Sequence, residues 1–470
     1  MTATFDDLRP KLQAIGQDHV LAHVDDLDDA SRQKLHDQLA ALDLDEIAAL
    51  AESHVKQKPE AHLPSDLAPP EVLPRLPDAA RVDLYDQARQ KGEKLLADGK
   101  VAAFLVAGGQ GTRLGYDGPK GEFPVTPVKD KPLFQVFAEQ IKATGDRYGK
   151  PVPWYVMTSE VNDARTREFF EKHDYFGLDK ANVTFFVQGM MPAFGTDGKL
   201  LLAEDDSLAL SADGHGGSLK ALAKTGALAD MKQRGIEHLS YFQVDNPLVR
   251  VLDPLFLGLH AHFESEMSSK SLPKANAKEK VGNFCVGDGQ LQVIEYSDLP
   301  DSVAEQTNDD GSLKFNAGSI AIHVISVAFI DRLTSGGSLS LPWHRADKKV
   351  PHLGEPDPQS PNGVKLEQFV FDAIPLAGNA IVYETDRAEE FSPVKNAEGN
   401  DSPATSRRDQ VRRAARWLSG AGVEVPTLDN GEPDAVLEIS PLFADSAEET
   451  KTKDLPPTPI QPAARMYFGE

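Results

Sequence analysis

One stretch concentrates residues suited to phosphate chemistry: Leu105-Val106-Ala107-Gly108-Gly109-Gln110-Gly111-Thr112-Arg113-Leu114-Gly115, closed by Pro119-Lys120-Gly121. Glycines let backbone N–H groups approach phosphate oxygens with no Cβ in the way. Arg113 and Lys120 place two cations beside the same loop. Arg offers a planar fork to phosphate, and Lys a mobile point charge. Two common phosphate motifs do not fit. A Walker A loop needs Gly-Lys-Ser/Thr, which this segment lacks, and a Gly-x-Gly-x-x-Gly fingerprint begun at Gly109 meets Leu114 at its third glycine. A second feature is Asp245-Asn246, directly after the strand candidate Leu239–Val244. A carboxylate at a strand's carboxyl end can hold Mg²⁺ against phosphate oxygens; it can equally cap the next element.

The elements needed to position these residues are legible around them. Val101–Ala107 is a continuous apolar run, as expected of a strand buried on both faces. Helical spacing of Phe134, Phe137 and Ile141 follows, then a short run at Trp154–Met157, a helix over Arg165–His173 and a strand at Val183–Val187. Strands alternating with helices predict a mostly parallel, doubly wound sheet, with ligands bound beyond the carboxyl ends of its strands. Later runs, Val281–Val286, Leu291–Tyr296 and Ile320–Val324, lie closer together and predict a mixed extension. Before the sheet, Leu35, Leu39 and Leu42 mark a helix, and Asp45 is the expected cap of the next. Prolines 59, 64, 69, 70, 74 and 77 make a linker or extended strap. After the sheet, one helix is expected over Ser406–Leu418. The division expected is an N-terminal helical region with its strap (1–97), a catalytic α/β domain (98–388) and a small C-terminal domain (389–470).

Composition sets limits. The 470 residues are 40% hydrophobic and 26% charged, as in folded globular chains. Forty-nine Lys and Arg against 73 Asp and Glu give a net charge of −24. Such an excess of acid disfavours nucleic acid and anionic membrane, while allowing a small anionic ligand in a locally cationic pocket. Cys285 is the one cysteine, so internal disulfides, Cys-rich zinc sites and Cys-x-x-Cys redox chemistry are excluded. No His-Glu-x-x-His occurs. No apolar run approaches the ~20 residues of a membrane span, and Met1–Pro10 has no apolar signal core, so a cytoplasmic location is expected.

The run Gly-Gly-x-Gly-Thr-Arg-Leu-Gly with Pro-Lys shortly after resembles the signature of nucleotidyltransferases that join a nucleoside triphosphate to a sugar 1-phosphate. More narrowly, the chain resembles the eukaryotic-type UDP-N-acetylglucosamine pyrophosphorylases. The similarity runs in order through Met157-Thr158-Ser159, Phe169–Leu178, Phe186-Val187-Gln188-Gly189-Met190 and Gln243-Val244-Asp245-Asn246. It continues through Val293–Ser297, Phe315-Asn316-Ala317-Gly318, Glu390–Asn396 and Glu438–Leu442. It implies a nucleotidyltransferase (Rossmann-like) sheet and Mg²⁺-dependent transfer of uridylyl from UTP to a sugar 1-phosphate, N-acetylglucosamine 1-phosphate above all.

The resemblance also implies roles. Arg113 would face the pyrophosphate side and Lys120 the transferred phosphate. Lys395 matches a phosphate-binding lysine, and Asp245 the metal ligand. Gly108 and Gly109 would approach the nucleotide through their backbone. Gln188 matches the uracil reader, its amide both donating and accepting. Gly282, Glu295 and Asn316 match positions lining the sugar site. Asp213-Gly214-His215-Gly216-Gly217 departs from the pattern. N-acetylhexosamine enzymes usually carry Asn at the His215 position, and relatives acting on glucose or broader sugar phosphates often show His-Gly-Asp. His215, with Gly214, would contact the α-phosphate or uracil. The departure keeps open a UDP-glucose, UDP-galactose or broad UDP-sugar pyrophosphorylase. A nucleotide-sugar-binding protein without turnover would not require Arg113, Lys120, Asp245 and Lys395 together, and the broken glycine fingerprint disfavours a dinucleotide-dependent oxidoreductase.

Overall fold

The computed structural model describes residues 4–59, 63–335, 339 and 341–469. The chain packs as two compact units that are not contiguous in sequence. One comprises Met1–His62, Gln188–Lys220 and Ser340–Ala373; the other comprises Leu63–Val187, Ala221–Leu339 and Ile374–Glu470.

The larger unit is built on a ten-stranded mixed sheet. Its strands are β1 (Val72–Leu73), β2 (Val101–Val106), β3 (Trp154–Thr158), β4 (Val183–Val187) and β5 (His238–Gln243), then β6 (Met267–Pro273), β7 (Gly282–Gly287), β8 (Gln290–Ile294), β9 (Ala317–Ser326) and β10 (Ala380–Glu384). The order across the sheet is β1-β10-β6-β9-β5-β2-β3-β4, with β7 joined to β9 and β8 to β7. Strands β5, β2, β3 and β4 are parallel, as the alternation of runs and helices predicts, and β9 runs antiparallel to both β5 and β6. Part of the proline-rich stretch becomes the edge strand β1, parallel to β10; residues 60–62 of that stretch lie outside the described residues.

Both faces of the sheet are covered, which is why β2 has no polar alternation. On one side, where Leu96 of helix α1 (Val82–Ala97) is also buried, Phe137 of helix α2 (Leu133–Tyr148) meets Phe242 edge to face at 5.1 Å. On the other, Phe104 and Tyr241 are register partners with ring centroids 5.2 Å apart. The Tyr155 hydroxyl, on that same face, donates to Asp230 of helix α3 (Ala227–Arg234) at 2.6 Å. The C-terminal helix, α4 (Pro403–Gly420), packs Leu418 with Leu437 and Phe468 of a parallel two-stranded ribbon, a satellite core within the same unit.

The smaller unit joins the N-terminal helices to Gln188–Lys220. Leu12, Leu35, Leu39 and Leu50 share one core with Phe194, Leu202, Val364 and Leu366. Buried Gln17 fastens the two segments: its amide donates to the Gly198 carbonyl at 2.7 Å and accepts from the Leu200 N–H at 2.9 Å. The helix Leu44–Leu50 starts two residues earlier than expected. Asp43, rather than Asp45, caps it by accepting from the Asp45 and Glu46 N–H groups. Among the described residues no helix is long and apolar enough to cross a membrane.

Candidate active site

Register alone gathers most of the predicted residues. The parallel strands β2 and β5 end at Val106 and Gln243, just before Gly108-Gly109 and Asp245. Because β9 is antiparallel to β5, with His238 opposite Ser326, the start of β9 lies at that same carboxyl edge, next to Asn316. Strand β6 is antiparallel to β9 and ends there at Pro273; β10, parallel to β6, ends there at Glu384 and leads to Lys395. Gly282 pairs with Ser319 near the start of β9, and β8 returns Glu295 beside it.

In the glycine loop, two glycines have different reasons to be there. A Cβ at Gly121 would lie 2.1 Å from the Phe134 ring, so that glycine serves packing. A Cβ at Gly109 would meet nothing within 4 Å, so the space it leaves is not filled by its own unit's packing. That leaves room for a ligand to approach the backbone closely. The loop is held from below by Asn162, a buried residue with no prominent signal in the sequence. Its amide donates to the Ala107 carbonyl at 2.9 Å and the Gly109 carbonyl at 3.4 Å, while its oxygen accepts from the Ser159 N–H at 2.8 Å. Lys120 also returns to the loop, its N–H donating to the Gly109 carbonyl at 3.1 Å.

The four charged candidates form one electrostatic group. Lys120 is half-buried and Arg113 exposed. Burial pulls the Lys120 ammonium below its ordinary range; Asp245 opposes that shift, while Lys395 and Arg113 add to it. Lys120 therefore sits in the joint field of the other three. Asp245 and Lys395 are tied through the backbone, since the Val394 N–H donates to the Asp245 carbonyl at 2.8 Å. Asn246 reinforces the tie by donating to the Glu390 carbonyl at 2.7 Å and accepting from the Ser392 N–H at 3.1 Å. Among the described residues no group of three or more His, Cys, Asp or Glu gathers as a metal cage. Asp245 could supply one carboxylate to Mg²⁺, an ion that takes one or two carboxylates and completes its shell with phosphate oxygens and water.

The sugar-side candidates form a second group at the same edge. A Cβ at Gly282 would stand 2.6 Å from Val293 and 3.6 Å from a Glu295 carboxylate oxygen. The Asn316 side chain accepts from the Lys274 N–H at 2.9 Å. Lys274, unremarked in the sequence, is buried and donates its ammonium to Asn283 at 2.5 Å. Burial pulls this ammonium below the ordinary lysine range.

Gln188, Gly214 and His215 belong to the other unit. Gln188 is buried. Gly214 has φ +86°, and a Cβ there would lie 2.4 Å from the Gln368 carbonyl oxygen, so no other residue fits without displacing backbone. His215 stacks on Phe369 at 5.2 Å, and its Nδ1 accepts the Val370 N–H at 3.0 Å. A neutral ring so held carries its proton on Nε2. His215 thus has a local task, pinning its loop to residues 368–370, beyond the ligand contact expected of it.

Similarity to known proteins shows the family. A family model described as UTP–glucose-1-phosphate uridylyltransferase matches residues 65–400. The chain is 40% identical to UDP-N-acetylhexosamine pyrophosphorylase-like protein 1 of Homo sapiens, over 95% of this chain and 94% of that protein. It is 38% identical to UDP-N-acetylglucosamine pyrophosphorylase of Saccharomyces cerevisiae, over 76% of this chain and 78% of the relative. The crystal structure of the uridine diphosphate N-acetylglucosamine pyrophosphorylase from Trypanosoma brucei in complex with inhibitor superposes with a TM-score of 0.81 at 25% identity, covering 100% of this chain and 99% of that one.

Proposed function

The chain belongs to the UTP–glucose-1-phosphate uridylyltransferase family, and from that premise we propose that it makes UDP-N-acetylglucosamine and pyrophosphate from UTP and N-acetylglucosamine 1-phosphate. It is a nucleotidyltransferase. The observation that carries the proposed roles is that Lys120 lies in the joint field of Arg113, Asp245 and Lys395, beside the open face of Gly109.

A phosphate oxygen of the sugar 1-phosphate attacks the α-phosphorus of UTP in line. The new P–O bond forms as the bond to the β-phosphate oxygen breaks, and the electron pair leaves with pyrophosphate. No covalent enzyme intermediate is required, so catalysis is positioning plus neutralisation of developing charge. Gly108 and Gly109 present backbone N–H groups to the nucleotide phosphates. Arg113 meets the departing pyrophosphate, Lys120 the transferred phosphate, and Lys395 the phosphate of the sugar. Gly282, Glu295 and Asn316 receive the sugar, and the family resemblance assigns reading of the uridine to Gln188, Gly214 and His215. Asp245 would hold Mg²⁺, which when bound offsets negative charge on the phosphate oxygens. A cytoplasmic site of action suits a chain whose one cysteine, Cys285, is an unpaired buried thiol.

The test is pyrophosphate release from UTP and Mg²⁺ with the 1-phosphates of N-acetylglucosamine, N-acetylgalactosamine, glucose and galactose. Release with N-acetylglucosamine 1-phosphate is expected. Release with glucose or galactose alone would keep the chemistry and replace the substrate. UTP binding without release from any sugar would overturn the enzymatic reading.

A further inference from the structure

Helix α4 belongs by sequence to the C-terminal region, yet one of its faces holds all three loops that carry the charged candidates. Its start is firmly set. Ser402 caps the first turn, accepting from the Thr405 N–H while the Thr405 hydroxyl accepts from the Ser402 N–H, and Pro403 fills the first helical position. Residues 409, 410, 413, 416 and 417 then fall three and four apart, on one side of the helix.

Each makes a defined contact. Gln410 donates to the Val125 carbonyl at 3.1 Å, on the chain that leaves Lys120. Arg413 donates from one nitrogen to the Leu248 carbonyl at 3.0 Å and the Glu389 carbonyl at 2.9 Å. Leu248 follows Asp245, and Glu389 precedes Lys395. Asp409 accepts from the Ser392 hydroxyl at 2.8 Å, and Trp417 donates to the Glu389 carboxylate at 2.7 Å. The Arg413 guanidinium also lies 5.0 Å from the centre of the Trp417 ring, which fixes its orientation.

We propose that α4 is the element that sets the spacing of Lys120, Asp245 and Lys395, with Arg413 as its central positioning residue. The inference rests on reading those three as the uridylyl-transfer site. Arg413 touches no reacting atom. It fixes carbonyls on two loops at once, and misplacement of a catalytic group by about 1 Å costs on the order of 10²-fold in rate. The C-terminal region is thereby part of the catalytic scaffold.

The test compares Arg413→Met, Lys395→Ala and the double variant, with melting curves to score folding. Arg413→Met is expected to lower kcat by roughly 10- to 100-fold with KM for UTP within about twofold. The double variant is expected to lose less than the product of the two single losses, because part of the Arg413 effect acts through the Lys395 loop. Unchanged kcat in folded Arg413→Met, or losses that multiply in the double variant, would overturn the proposal. If Arg413→Met does not fold, Asp409 decides: Asp409→Ala slow and Asp409→Asn restored supports it, and both at wild-type turnover overturns it. Lys395→Ala at wild-type turnover would overturn the site reading and the proposal together. A slow Lys395→Ala beside wild-type turnover in folded Arg413→Met overturns the proposal alone.

Discussion

The Val394 N–H donates to the carbonyl of Asp245 at 2.8 Å, fastening the residue before Lys395 to the carboxylate-bearing residue that follows β5. The two candidates are far apart in sequence and joined by one backbone bond. Asn246 doubles that bond through Glu390 and Ser392. A cation and an anion of the site are thus held by main chain, leaving both side chains available to substrate groups.

Asp245→Asn tests the anion. The amide keeps the shape and removes the charge that would attract a dication. The expected outcome is a rise of at least about tenfold in the Mg²⁺ concentration needed for half-maximal turnover, a tenfold change in an equilibrium being about 1.4 kcal/mol. An unaltered Mg²⁺ titration would return Asp245 to a capping role.

Lys120 makes a prediction about pH. Its ammonium is pulled below the usual 10.5 by burial, helped by Lys395 and Arg113 and opposed by Asp245. The protonated form is the one that neutralises phosphate, so activity falls as pH rises through the lowered value. A plot of kcat/KM for UTP, which reports the free enzyme, should show an alkaline limb below the ordinary lysine range. Lys120→Arg should move that limb upward, since guanidinium stays charged. A limb at the same pH in both proteins would assign it to another group.

Much of this was legible because apolar runs and glycines report directly on strands and loops. Val101–Ala107 predicts β2 to within a residue, and the Gly108–Lys120 loop follows it as expected. What sequence could not show was long-range register. Nothing in the spacing of Asp245 and Lys395 says that one backbone bond joins them, and nothing around Asn162 says that it supports the Gly109 carbonyl. Residues 1–97 read as a separate region because a helical pattern shows which face is apolar but not what covers it. In the structure Leu35 and Leu39 share a core with Phe194 and Val364. The Asp43 cap was missed for a smaller reason: Asp43 and Asp45 are both good caps, and only the backbone chooses between them.

The His215 loop is where the departure from the family pattern can be measured. Val370 donates its N–H to His215 Nδ1, and an Asn side-chain oxygen can accept the same bond. His215→Asn should therefore fold like the parent and shift the ratio of kcat/KM toward N-acetylated over plain sugar 1-phosphates. His215→Ala should instead leave that N–H without its acceptor and cost about 1–3 kcal/mol in a denaturant melt. An unchanged sugar ratio in His215→Asn would show that this position does not read the sugar.

Lys270 lies in the middle of β6 with no exposed side-chain surface, an unusual place for a lysine. Its ammonium is 2.8 Å from Asp253 and 2.6 Å from Glu390, the residue that opens the segment leading to Lys395. Burial alone would raise the Asp253 carboxyl, but Lys270 and Arg250 reverse this and hold it well below its usual 3.8. Burial likewise works against the Lys270 ammonium, and Asp253 with Glu390 outweighs it, raising it above 10.5. A depressed carboxyl stabilises the fold above its unfolded value and loses that effect as pH falls through the folded one. A raised ammonium stabilises below its unfolded value and loses that effect as pH climbs through the folded one. The cluster therefore supports the fold between about pH 4 and pH 10.5 and fails on either side. Lys270→Met should cost about 3–5 kcal/mol near neutrality, because it removes the ammonium that the two buried carboxylates share and leaves Asp253 with Arg250 at 3.4 Å. The deficit should shrink toward acid, where protonation relieves those carboxylates, and Lys270→Met with Glu390→Gln should recover part of it. Melting curves of the three proteins from pH 4 to 9 would decide this, and a deficit independent of pH and of Glu390 would show that Lys270 contributes packing rather than charge.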